Sequence, residues 1–451
     1  MAKKNLNSYK DAHKKFKLTK DVVKKFGLEN YVTDRKFKNI QELLEAPTAM
    51  TIARVTRDFV FDDVYQMKSG NNYVLPLSIF MDGYKTKGNV QKCLKPSKLK
   101  FENICNRYMG QDLTNKSLLV MRMGGLGDLI VSQSVLKHIK ERWPSCKITY
   151  STKPAFMELF SNFPSGIVDN VVPFPLDAKV MMSHDYHLTF IGAIENCEAA
   201  QKQNYYDVYR DVCKFTYDSK DYISKLIPNH ILMKSMKLLI PNNTVLLHMT
   251  STSNLRAYPD EKWAEICRLL IARGYKVGII DNIKRQPEVN NFIVNTLNYI
   301  DIKNKGTHAV LNPNLSNKSF IENRENIFNL AAVSDTITKA IAIYEACIGG
   351  ITIDSSFAHI SGALRKPAVT ICGPYPAYNV VGGYETVQGL NPDDTWNNEC
   401  GFYPCYLNSK EHRCPFRVSN LLPGCTQHIS PESVVDTFEK QLKNIDKTKA
   451  L

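Results

Sequence analysis

"MRMGGLGDLIVSQ", residues Met121–Gln133, follows the apolar run "SLLV" at 117–120. An apolar run that enters three glycines and an aspartate, then a segment with apolar residues at helical spacing, predicts a strand–turn–helix unit. In an open α/β sheet the turn leaving a parallel strand lies at the carboxyl edge, where ligands bind. Gly124, Gly125 and Gly127 let backbone approach a ligand closely and tolerate positive φ. The spacing G-G-x-G-D differs from the G-x-G-x-x-G of dinucleotide sites, and no G-K-[ST] follows as in a P-loop. Asp128 stands at or beside the helix N-terminus, where an aspartate commonly caps. A carboxylate kept ionised there can also take a proton from a substrate hydroxyl.

Outward from this turn the pattern is regular. "DLIVSQSVLKHIKERW" reads as a helix with an apolar face through Ile130, Val131, Val135 and Ile139. "KITYS", "VDNVVPF" and "YHLTFIG" read as further parallel strands, with "AFMELFSNF" as a helix between the first two. A helical connector, "NYYDVYRDVCKFTY" to "NHILMKSMK", leads to a second round of alternation. Its strands are "NTVLLHM", "YKVGIID", "GGITID" and "PAVTICG"; its helices are "DEKWAEICRLLIARG", "TITKAIAIYEAC" and "SFAHISGALR". Two successive Rossmann-like, doubly wound halves follow. The tail "SPESVVDTFEKQLKNI" predicts a Ser-capped helix with Pro at its first position.

The second half carries its own strand-end groups. "DSSFAHISGALRKPAVTICGP" sets Asp354, Ser355 and Ser356 between a strand and a helix, with His359 in the first helical turn. Free N–H groups at such an end, beside small hydroxyls, suit a diphosphate. "HMTSTSNLRAYPDEKW" adds Thr250, Ser251 and Thr252 as hydroxyl donors and Arg256 as a cation for phosphate. Each group alone is an ordinary cap or surface residue. Together, at three strand ends on two sheets, they outline a nucleotide-diphosphate site.

From about Lys116 onward these motifs, in order, resemble those of the ADP-heptose:lipopolysaccharide heptosyltransferase family of GT-B glycosyltransferases. The "GLGDLI" turn is similar to that family's glycine–aspartate loop, "NYYDVYRDV" to its connector, and "LHMTSTSNLRAYPDEKW" to its Thr-rich phosphate loop. "DSSFAHISGALRKPAVTICGP" is similar to its Asp-Thr-Gly-x-x-His helix start, with Ser356 in place of the usual glycine and Tyr258 where tryptophan is common. The resemblance implies a GT-B fold, two Rossmann-like domains facing across a cleft, and inverting transfer of a sugar from a nucleotide-diphosphate sugar. It implies Asp128 as catalytic base with Gly127 beside it. Thr250, Ser251, Arg256, Asp354, Ser355, Ser356 and His359 are implied to hold the donor. No D-x-D sequence occurs, so no catalytic divalent metal is expected.

Domains are expected at 1–115 (a basic α+β extension), 116–238 (acceptor side), 239–395 (donor side) and 396–451 (Cys-rich segment and last helix). In the extension, "KDVVKKFGL" and "NIQELLEAP" read as helices, "TIARVTRDFVFDDVYQM" and "NNYVLPLSIFMDG" as strands, and "QKCLKPSKLK" as a linker. Residues 1–116 hold 23 Lys+Arg against 12 Asp+Glu, so +11 of the chain's +14 lies there. A basic arm on a nearly neutral body suggests a polyanionic partner: a phosphorylated glycan, a nucleic acid or an acidic membrane surface. The acceptor is therefore read as lipopolysaccharide or another glycan, or a modified DNA base. A non-catalytic nucleotide- or nucleic-acid-binding protein on a GT-B scaffold is the alternative.

Cys400, Cys405, Cys414 and Cys425 follow C-x4-C-x8-C-x10-C, four of the twelve cysteines in 26 residues. Four thiolates suit a structural zinc or iron. The autotransporter heptosyltransferases resemble this in carrying a four-cysteine iron finger, with different spacing. The charged N-terminus lacks a secretory h-region and no apolar run is long enough for a membrane span, so a cytoplasmic protein is expected.

Overall fold

The computed structural model describes residues 50–61, 65–76, 93–99, 104–195, 197, 200, 202–296, 326–393, 400, 403, 405 and 424–449. The expected helices "KDVVKKFGL" and "NIQELLEAP" lie outside them. The chain divides into two compact units. One comprises the described residues up to Phe160 with Ser165–Tyr222; the other comprises Ser161–Pro164 with Ile223 onward.

The first unit contains two sheets that share a core. Strands β1 (Met50–Val55), β4 (Asn72–Pro76) and β5 (Leu94–Pro96) pair antiparallel, while β2 (Phe59–Phe61) and β3 (Tyr65–Met67) form a separate hairpin. The basic linker expected at "QKCLKPSKLK" is thus partly strand: Leu94 pairs with Val55 and Lys95 with Arg54. Pro96 is tolerated because β5 is an edge strand. The second sheet is parallel, in the order β6 (Asn106–Arg107), β11 (Tyr186–Thr189), β7 (Ser117–Met121), β8 (Lys147–Thr152), β9 (Asn170–Pro173). A short strand β10 (Leu176–Asp177) leaves this Rossmann region and pairs with β4, Leu176 opposite Val74. Met50, Ile52, Val74, Leu119, Met121, Phe174 and Leu176 form one buried cluster across both sheets. The described part of the extension is therefore bound into the parallel sheet's core.

Helix α1 (Leu126–Arg142) follows β7, and all four residues of its expected apolar face are fully buried. Burial extends round to Ser132, Gln133 and Ser134, and helix α2 (Tyr205–Val212) packs against it. "AFMELFSNF" forms a 3-10 helix, Pro154–Asn162, where an α-helix was expected.

The second unit is a six-stranded parallel sheet. Its strands are β12 (Thr244–His248), β13 (Lys276–Ile279), β14 (Ile327–Asn329), β15 (Gly349–Ile353), β16 (Ala368–Ile371) and β17 (Val387–Leu390). They lie in the order β14-β13-β12-β15-β16-β17. Counted from β12 this is 3-2-1-4-5-6, the doubly wound order of dinucleotide-binding folds. Its reversal lies between β12 and β15, where such folds place ligands. Helix α3 (Asp260–Ala272) follows β12 and helix α4 (Ser356–Ala363) follows β15. The last helix, α5 (Pro431–Lys449), is capped as expected, with Ser430 Oγ accepting from the Ser433 N–H at 3.1 Å. It seals the core with Val434, Val435 and Phe438. No helix among the described residues is long and apolar enough to cross a membrane.

Candidate active site

In the parallel sheet of the first unit the strand order reverses between β7 and β11, and Asp128 stands just beyond β7. The helix N-cap is Gly125, and Asp128 is the third helical residue. Its Oδ2 accepts from the Gly125 N–H at 3.0 Å, closing a capping box, so it stabilises the helix end without being the N-cap. Gly125 has φ −66°, and the positive-φ glycines among the described residues lie elsewhere, at 70, 110, 166, 192 and 274. The turn needs its glycine at 124 for space: a Cβ there would collide with the Arg122 guanidinium.

Arg122 is a feature the motif reading passed over. Its side chain is 1% exposed, and its NH2 lies 2.8 Å from Asp128 Oδ2 and 2.7 Å from Glu195 Oε1. NH1 donates to Glu195 Oε2 at 3.0 Å and to the Phe190 carbonyl at 2.7 Å. Burial opposes its charge, but Asp128 and Glu195 more than offset that and hold it protonated. Asp128 Oδ2 is thus occupied twice. Oδ1 meets the Tyr209 hydroxyl at 3.5 Å, too long for a strong bond. The carboxylate is 21% exposed. Tyr209, on α2, is fully buried against Phe190, with ring centroids 4.7 Å apart.

In the second unit the groups expected to hold a donor gather at the ends of β12 and β15. Arg256 Nε lies 3.3 Å from Asp354 Oδ2, and its NH1 donates to the Asp354 carbonyl at 3.1 Å. The helix N-terminus of α4 begins at Ser356 with Ser355 as N-cap, and Ser355 makes no side-chain cap bond. Its Oγ pairs with His248 Nδ1 at 3.0 Å, and the His248 ring stacks on Phe357 at 4.3 Å. Among the described residues no N-cap side chain covers the start of α4, where the Ala358 N–H donates to the Ser355 carbonyl at 3.2 Å. His359 is buried, its Nδ1 3.2 Å from the Tyr384 hydroxyl. Burial pushes its pKa down to about 4, and His248 is likewise lowered to about 4. Both are neutral at pH 7, so His359 can offer a neutral N–H and no cation.

Thr250 and Ser251 line a cavity of about 280 Å³ with Asn254, Tyr258, Asp260 and Arg285. Thr250 donates to Asp281 at 2.8 Å, and Arg285 Nε lies 3.6 Å from the same carboxylate. Arg256, Asp354, Ser355, Ser356 and His359 are not in that lining; they occupy the adjoining strand end. Tyr258 serves packing: its hydroxyl donates to the Ile429 carbonyl at 2.9 Å and its ring meets Trp263 edge-on. His248 had one legible signal, being the polar residue that ends the apolar strand β12, and Asp281 lies two residues beyond β13.

The four-cysteine set is only partly described. Cys400 and Cys425 are buried and Cys405 is half-buried, while Cys414 lies outside the described residues. The phenol of Tyr403 is raised by burial and then by Cys372, Cys425 and Cys405, so these three thiols share its neighbourhood. Among the described residues no three His, Cys, Asp or Glu side chains form a group that could hold a metal ion.

Two doubly wound parallel sheets, a carboxylate at the first switch point and a helix N-terminus at the second define a GT-B-type α/β protein. Solved structures with this fold include a heptosyltransferase and a family 9 glycosyl transferase. ADP-heptose LPS heptosyltransferase II of E. coli matches at 14% identity over 73% of this chain and 99% of its own, with a TM-score of 0.52. A family 9 glycosyl transferase of Veillonella parvula matches at 13% identity over 74% of this chain and 99% of its own, also at 0.52. The likeness at these identities is one of fold. No protein-family model matches the chain, and no curated protein matches it in sequence.

Proposed function

We propose that the protein is an inverting glycosyltransferase that moves a sugar from a nucleotide-diphosphate sugar to an acceptor hydroxyl, with Asp128 as general base. The observation that carries this reading is the Asp128 carboxylate at the strand end, its Oδ2 held by Arg122 and the Gly125 amide and its Oδ1 meeting the Tyr209 hydroxyl at a long 3.5 Å. Oδ1 takes the acceptor's hydroxyl proton as that oxygen attacks the anomeric carbon. The bond from this carbon to the diphosphate oxygen breaks, its electron pair leaves on the diphosphate, and the configuration inverts. Arg256, the amides at the start of α4 and the hydroxyls of Thr250, Ser251, Ser355 and Ser356 meet the developing charge. His359 contributes as a neutral donor.

The fold likeness to an ADP-heptose transferase makes ADP-sugars the first donors to test. The +11 charge of residues 1–116 supports a polyanionic acceptor, either a phosphorylated glycan such as lipopolysaccharide or modified DNA. Calorimetry with a panel of nucleoside diphosphates and their sugars tests the donor reading. One nucleotide class is expected to bind in the micromolar range, and Arg256→Ala to weaken it about 10- to 100-fold. Binding of none, at millimolar concentration, would overturn the reading.

A further inference from the structure

We propose that Arg122 and Glu195 are positioning residues for Asp128, and that Glu195 acts by sharing the Arg122 guanidinium, so that one cation orients two carboxylates and fully neutralises neither. The inference rests on the reading of Asp128 as base.

The geometry follows from the switch point. Asp128 comes from the first turn of α1, which follows β7, and Glu195 from the segment after β11, neighbouring parallel strands whose carboxyl ends point the same way. Arg122, one residue beyond β7, lies between them. Its NH2 is divided between Asp128 Oδ2 at 2.8 Å and Glu195 Oε1 at 2.7 Å. Its NH1 is taken by Glu195 Oε2 and the Phe190 carbonyl. The guanidinium therefore cannot swing wholly onto Asp128. Its Nε is buried without a partner among the described residues. A cation placed for stability alone would have that donor satisfied. Gly124 completes the device, since any side chain there would push the guanidinium out of place.

The electrostatics explain why a second carboxylate is useful. A buried cation 2.8 Å from Asp128 Oδ2 fixes the orientation of that carboxylate. Glu195 supplies an opposing negative charge on the far side of the same guanidinium. Among the described residues the other titratable groups that interact with Asp128 are Tyr209 on α2 and Tyr150 on β8. Burial raises both phenols, so they stay neutral through the working pH range. Among the described residues the charged groups gathered at Asp128 are therefore Arg122 and, through it, Glu195.

Arg122 is too buried for its replacement to be read cleanly, but Glu195 is 52% exposed, so Glu195→Gln should leave the fold intact. The test is the pH profile of kcat/KM for sugar transfer by the full chain, with wild type, Glu195→Gln, Glu195→Asp and Asp128→Asn compared. Losing the Glu195 charge leaves the guanidinium's whole attraction on Asp128. The acid limb is then expected to move down by about one pH unit, with the plateau falling about tenfold. Nucleoside-diphosphate affinity should stay within twofold, and Glu195→Asp should recover part of the rate. A Glu195→Gln enzyme with wild-type rate and limb would overturn the proposal, as would a slower enzyme whose limb does not move. If Asp128→Asn is inactive in those cases, only the role of Glu195 falls. If Asp128→Asn turns over like wild type, the base reading falls with it.

Discussion

His248 and His359 show how burial decides what a residue type can do. The sequence places His359 in the first turn of a helix that suits an anion, which invites a cationic reading. In the folded chain both imidazoles are held neutral, their pKa lowered to about 4 mainly by burial. In the unfolded chain they return to about 6.5. Below 6.5 the unfolded state takes up protons that the folded state refuses. The stability they contribute is thus complete above pH 6.5 and is lost as pH falls toward 4. Each histidine gives a slope of up to about 1.4 kcal/mol per pH unit in that window. Urea unfolding at pH 7.5 and pH 5, followed by circular dichroism, should show the midpoint falling at the lower pH. An unchanged midpoint would mean that these rings are not desolvated. The placement of Asp128, Thr250, Ser251, Arg256 and Asp354 beyond strand ends was legible because each sits in a local strand–turn–helix motif. Arg122 and Glu195 were not, because their pairing spans 73 residues and depends on β7 and β11 lying side by side.

At the scale of elements, the sequence was most legible where a strand is buried on both faces. "SLLVM", "TVLLH" and "GGITI" are mostly apolar runs, and all three are parallel strands inside their sheets. The edge strand at Leu94–Pro96 was read as a linker because basic residues and a proline dominate it. Nothing local in three residues reveals that they pair with β1. The last helix was legible from its cap and its apolar spacing, and its packing gives a measurable expectation. Phe438 is fully buried in the core that α5 closes, edge-on to Tyr275. Phe438→Ala should destabilise the second unit by about 3–5 kcal/mol, as large-to-small changes in a full core do. A loss under 1 kcal/mol by urea titration would show that α5 is only loosely applied.

At the scale of the whole molecule, the two-sheet organisation was legible from the restart of alternation at Thr244, whereas the sharing of a core by β1, β4 and the first Rossmann sheet was not. That sharing changes which truncation is informative. Residues 1–49 carry 12 Lys+Arg against six Asp+Glu and precede β1. Their removal should keep nucleotide binding while reducing salt-sensitive binding to a polyanion, whose logarithmic slope is about −0.9 per duplex phosphate neutralised. Removal of residues 1–100 deletes β1, β4 and β5 and should destabilise the first unit outright. If both truncations behave alike in thermal unfolding, the shared core contributes little. The central claim is that Asp128 removes the acceptor proton in a sugar transfer. Its most direct test measures nucleoside-diphosphate release and nucleoside-diphosphate affinity in wild type and Asp128→Asn. The amide should keep affinity within about twofold and lower transfer about 10²- to 10⁴-fold, the usual worth of a general base. Near-wild-type transfer by Asp128→Asn would contradict the account and leave Asp128 as part of a capping box.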